Sequence, residues 1–204
     1  MGFISIIFAT VFLILLTLLH FLKRELDPAW RMISEYEIGR FGWMMRLAFF
    51  AWGASVFALL IAIWPSLQPV SGTISRWWFV LIGLALFGAG IFKTNAITDT
   101  TPNLANTIHS LCGTVVILTF PIAASLAAHS LNLNPLWSTH HAQLVMGTIL
   151  VWVGMVAFFA SITISRKRDP SAGRVGPTIY LGWPNRFMVT TYIIWVIIVA
   201  ANSL

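Results

Sequence analysis

Charge is what this sequence has least of. Only 9% of its 204 residues are Asp, Glu, Lys or Arg, while 58% are hydrophobic; a soluble domain carries roughly 25% charged residues. That shortfall excludes an ordinary soluble fold. Cysteine is scarcer still. Cys112 stands alone inside an apolar run, so no disulfide can form within the chain and a buried, inert thiol is expected. A spaced Cys/His set of the kind that holds zinc is missing, and no metal site is predicted. Nor does any Asp, Glu, Lys or Arg fall near the middle of an apolar run. Proton pumps and ion-coupled transporters relay charge at the midplane, so this absence counts against both.

What the chain has in abundance is apolar length. Six runs, at about residues 2–22, 43–64, 77–92, 107–130, 143–164 and 187–202, are nearly free of charge. About 20 residues at about 1.5 Å each cross a hydrocarbon core of roughly 30 Å. The fold class is therefore all-α: a polytopic integral membrane protein, a bundle of six transmembrane helices. No linker or internal repeat divides it, so residues 1–204 read as one membrane domain. The first run lacks a small-residue cleavage site, since Phe21, Leu22 and Lys23 follow it, and a retained spanning helix is expected.

The formal charge of +6 does not point to nucleic acid, because the basic residues sit in short loops and form no stripe on a soluble face. Of the 12 Lys and Arg residues, all but Arg76 lie in or beside the loops after spans one, three and five, Arg174 among them. Cytoplasmic loops carry such an excess. Those three loops are thus expected in the cytoplasm, with both termini outside, in what reads as a bacterial inner membrane. Trp64, Trp77, Trp78 and Trp137 at one set of span ends, and Trp30, Trp43 and Trp183 at the other, read as interfacial anchors. Small residues four apart (Ala51 with Ser55, Ala85 with Ala89, Ala124 with Ala128) allow close helix approach. Gly83, Gly88 and Gly90 make span three the thinnest helix, expected at the bundle centre. Pro121 inside span four leaves the carbonyl of Ile117 without its helical donor.

Candidate chemistry gathers in the first loop, Asp27 to Arg40, which holds three of the six acids. Ser34, Glu35, Tyr36 and Glu37 could fold against His109, with Asp99 and Arg186 near. Ser, His and acid together are the ingredients of nucleophilic or acid–base catalysis, but no Gly-x-Ser-x-Gly or His-Glu-x-x-His motif organises them. The structural reading is a lid: Ser34 and Glu37 have capping-box spacing, and Glu35 could pair with Arg31 or Arg186. Histidines offer a further option. His20 with His109 on one face, and His129 with His140 or His141 on the other, could bracket a b-type haem. No cofactor is predicted on this evidence beyond that option.

Several of these residues carry a family resemblance. Asp27-Pro28, Ile33-Ser34-Glu35-Tyr36 and Gly39, then Thr107-Ile108-His109, then Gly182, Arg186-Phe187 and Trp195 resemble, in order, the six-span membrane family known as domain of unknown function 998. The resemblance implies the fold and singles out Ser34, Glu35, Tyr36, His109 and Arg186. It implies no activity. Similar proteins carry Phe-Pro-Thr-Asp after span three where this chain has Phe92-Lys93-Thr94-Asn95. The favoured reading is a non-catalytic protein that binds membrane lipids or serves as a subunit of a membrane complex. The alternatives are an intramembrane enzyme on a lipid-like substrate and a haem electron carrier.

Overall fold

The computed structural model describes residues 1–101, 103–170 and 176–204; Arg174, expected on the basic face, lies outside them. Six helices follow one another: α1 (Gly2–Leu22), α2 (Gly42–Ile63), α3 (Val70–Ile91), α4 (Leu104–Asn132), α5 (His141–Arg168) and α6 (Gly182–Ala201). All six are long and apolar enough to cross a membrane. No strand occurs among the described residues. The protein is an all-α integral membrane protein.

Helices adjacent in sequence pack side by side, and α1 closes the ring against α6. The expectation that α3 is central is wrong. The most buried spans are α2 and α6, and α3 lies to the side, between α2 and α4. Its glycines serve lateral contacts: Phe57 sits where a Gly83 side chain would be, Phe50 against Gly90 and the Cys112 thiol against Gly88. The middle of the bundle is aromatic. Phe79, Phe120, Tyr192 and Trp195 pack ring on ring at 4.5–5.8 Å between centroids, and the Trp195 indole N–H reaches Thr148 Oγ1 at 3.1 Å.

α3 and α6 begin well before their apolar runs because polar residues near their starts are satisfied by protein. In α3, Arg76 donates to the carbonyls of Trp64 and Leu67, and Ser75 donates to that of Ala123. In α6, Asn185 and Arg186 are held by the first loop. Trp43, Trp64, Trp77 and Trp183 are exposed as anchors should be, but Trp137, in the 3-10 segment between α4 and α5, is 4% exposed and packs against His140.

The first loop folds back over the bundle end. Asp27 caps its start through the N–H of Ala29, and Ile33–Glu37 forms one 3-10 turn. The expected Ser34/Glu37 capping box is not what closes that turn. Glu35 Oε2 accepts from the N–H of Met32, one residue ahead of the turn, at 3.0 Å, which frees Glu37 to point into the bundle.

Candidate functional site

On the face that carries the loops after α1, α3 and α5, a cavity of about 390 Å³ opens between α2, α3, α4 and α6, under the first and third loops. Its walls follow from helical periodicity. From α4 come Asn106, His109, Ser110, Gly113, Thr114 and Ile117, spaced by three and four, and from α6 come Asn185, Met188, Val189 and Tyr192 with the same spacing. Phe49, Trp52, Leu86 and Val116 complete an apolar floor, while Ser34, Glu35, Asn95 and Asp99 line the loop end. Asp99, Ser110 and Thr114 are exposed, so the cavity is not sealed. Gly113 leaves room: a Cβ there would meet nothing within 4 Å.

α4 and α6 both line the cavity and meet at an aromatic contact. Where they meet, Phe120 stacks on Tyr192 at 4.5 Å, and Tyr192 Oη donates to the carbonyl of Ile117 at 2.8 Å. That is the carbonyl Pro121 leaves without a helical donor.

The expected polar cluster divides in two. One half lines or orders the cavity. Glu35 Oε1 accepts from the N–H of Ile97 at 2.8 Å and lies 3.3 Å from Arg31 Nε, so one carboxylate ties the first loop to the third. Glu37 Oε2 accepts from the N–H of Thr94 at 3.0 Å and lies 3.6 Å from His109 Nδ1, while Oε1 is 3.4 Å from Arg46 Nε. Burial raises the pKa of Glu37, and the Thr94 N–H, His109 and Arg46 oppose that shift. His109 Nδ1 also faces the carbonyls of Ala89 and Phe92 at 3.0 and 2.9 Å. With acceptors on every side Nδ1 carries the hydrogen, so in the neutral ring Nε2 is an acceptor. At Asp99, bonds from the hydroxyl and N–H of Thr101 hold the carboxyl below its usual range. The Phe92-Lys93-Thr94-Asn95 segment thus contributes backbone groups: two N–H donors and one carbonyl.

The other half is an anchor. Arg186 does not pair with Glu35. It donates to Tyr36 Oη at 2.7 Å and to the carbonyls of Arg31 and Gly182 at 2.8 and 2.9 Å. Tyr36 Oη in turn lies 3.3 Å from His20 Nδ1. Ile33 N–H donates to Asn185 Oδ1, and Gly182 N–H to the carbonyl of Ala29. A Cβ on Gly182 would lie 2.3 Å from the carbonyl oxygen of Pro28. The first loop is therefore fastened to the start of α6.

Ser34 lines the cavity but makes no hydrogen bond to His109 among the described residues, so no Ser–His pair is assembled. His20 is absent from the cavity wall, and His129 is exposed at the opposite end of α4. Among the described residues no group of three His, Cys, Asp or Glu is arranged to hold a metal ion. Asn106, Gly113, Asn185 and Tyr192 escape sequence reasoning, although the polar stripe Asn106, His109, Ser110, Thr114 is visible at helical spacing.

Residues 6–202 match the family model described as a protein of unknown function, DUF998. The chain belongs to this family. Neither a curated protein nor a solved structure matches it. For this DUF998 member the geometry must carry the functional reading.

Proposed function

We propose that the protein is a non-catalytic membrane protein that binds a lipid-like amphiphile in the cavity under its first loop. The observation that carries this reading is the cavity's polarity gradient. Asn106, His109 and Asn185 stand at the loop end, while Phe49, Trp52, Leu86, Met188 and Val189 line the depth. A volume of about 390 Å³ falls within the roughly 300–1,000 Å³ usual for small-ligand sites. An acyl chain fits the apolar floor, and its polar end meets the stripe on α4. The excess of basic residues in the loops on this face supports a cytoplasmic orientation, and so a ligand from the inner leaflet.

The test is Gly113→Leu. The cavity has room for the added side chain, and glycine is a poor helix residue, by about 0.8–1.0 kcal/mol relative to alanine, so the variant folds at least as well as the wild type. Native mass spectrometry of gently purified protein is expected to retain a lipid adduct on the wild type and lose it on Gly113→Leu. Identical adducts on both, or none on either, overturn the proposal.

A further inference from the structure

We infer that the polar end of the cavity selects an uncharged head group that both accepts and donates hydrogen bonds, as a hydroxyl does, over an anionic or amine head group. This deepens the amphiphile-binding reading and rests on it. A lipid tail entering the cavity leaves hydrocarbon, not water, so its transfer contributes little to affinity. Discrimination must come from the polar end.

Two unused donors meet the ligand there. Asn185 Oδ1 accepts the Ile33 N–H, and Asn106 Oδ1 accepts the Asn95 N–H at 2.9 Å. Because a backbone N–H must face oxygen, both amide nitrogens are fixed as the remaining groups. Neither makes a hydrogen bond among the described residues, and both side chains line the cavity. An acceptor stands with them in His109 Nε2, whose partner nitrogen is committed to carbonyls. A head group that only donates, such as an ammonium, leaves both amides unanswered. A head group that only accepts leaves Nε2 unanswered.

Charge removes the anion independently. The wall holds the carboxylates of Glu35 and Asp99 and no Lys or Arg. The cations nearby are engaged elsewhere: Arg31 on Glu35, Arg46 on Glu37 and Arg186 on Tyr36 and loop carbonyls. A carboxylate or phosphate ligand would enter beside the Asp99 carboxylate with no free counter-ion in the wall, since Glu35 and Arg31 neutralise each other.

The experiment uses the full chain in uncharged phosphatidylcholine nanodiscs at mildly alkaline pH. Radiolabelled monoacylglycerol, fatty acid and alkylamine of one chain length are bound, with retention on empty nanodiscs subtracted. Monoacylglycerol is expected to bind about tenfold or more tightly than either charged probe. Asn185→Asp keeps an oxygen for the Ile33 N–H but replaces the free donor by a carboxylate, and should abolish most of the preference over the alkylamine. Asn106→Asp provides the same test on α4, should the α6 variant not fold. Equal or tighter binding of the acid or the amine overturns the inference, as does an unchanged preference in both variants. If no probe is retained by the wild type, or if Gly113→Leu retains all three, the binding reading has failed and the head-group inference falls with it.

Discussion

Tyr192 Oη donates to the carbonyl of Ile117 at 2.8 Å, and so replaces the backbone donor that Pro121 removes from α4. One proline and one phenol, on different helices, thereby act on one carbonyl, that of Ile117, which lines the cavity with Tyr192. Tyr192→Phe keeps the ring stack on Phe120 and deletes only the donor. The expected cost is about 1–3 kcal/mol, that of leaving a carbonyl unpaired, seen as a lower melting temperature in detergent. In a Pro121→Ala background the helix supplies its own N–H, so Tyr192→Phe should then cost much less. Additive effects in this cycle would show that the two residues do not share the carbonyl.

Gly182→Ala should lift the first loop. Its Cβ would lie 2.3 Å from the carbonyl oxygen of Pro28 and 2.7 Å from that of Arg31, both backbone atoms that cannot swing aside. The Gly182 N–H bond to Ala29 and the Ile33 N–H bond to Asn185 would be lost together. Hydrogen exchange at Ile33 should accelerate by at least about tenfold, while the α2 and α3 cores keep their protection. Unchanged exchange there would mean that the loop is not fastened through Gly182.

Glu37 gives the stability a pH dependence of unusual sign for a carboxylate. Its folded pKa is raised above the ordinary 4.5, chiefly by burial, so the folded state holds its proton to higher pH than the unfolded chain. The associated stability is full below 4.5 and is lost as pH rises through the folded value. Melting temperature should fall across that window in the wild type. Glu37→Gln, which keeps an oxygen for the Thr94 N–H, should remove this component of the slope. A slope identical in both proteins would refute the assignment to Glu37.

The spans were legible because few charges interrupt them, yet their ends were not. Ser75, Arg76, Asn185 and Arg186 look like loop residues, and only their partners in space, the carbonyls of Ala123, Leu67 and Arg31 and the N–H of Ile33, reveal them as helical. The same limit applied to the site. Ser34, Glu35, Tyr36, His109 and Arg186 share one face, as their spacing indicates. Sequence could not separate the cavity residues from the anchor, because Arg186 meets a phenol and carbonyls where a carboxylate is the usual partner. Span three, rich in glycine, looked central, but its glycines accommodate rings from a neighbouring helix and a thiol from another.

Arg186 is itself the last test. It is 7% exposed, and its guanidinium is shared among Tyr36 Oη and the carbonyls of Arg31 and Gly182, with no carboxylate bound among the described residues. A fork of several N–H groups serves all these acceptors at once, and an ammonium at the end of a flexible stem cannot match that geometry. Arg186→Lys should therefore destabilise the protein by about 1.5–3 kcal/mol for each charged hydrogen bond it fails to remake. Tyr36→Phe should lose one such bond and leave the carbonyl contacts in place. The loss in Tyr36→Phe should thus be the smaller of the two, and the Arg186→Lys, Tyr36→Phe double variant should lose less than the sum. If the losses instead add, Arg186 and Tyr36 act separately and the bond between them does not contribute to holding the loop.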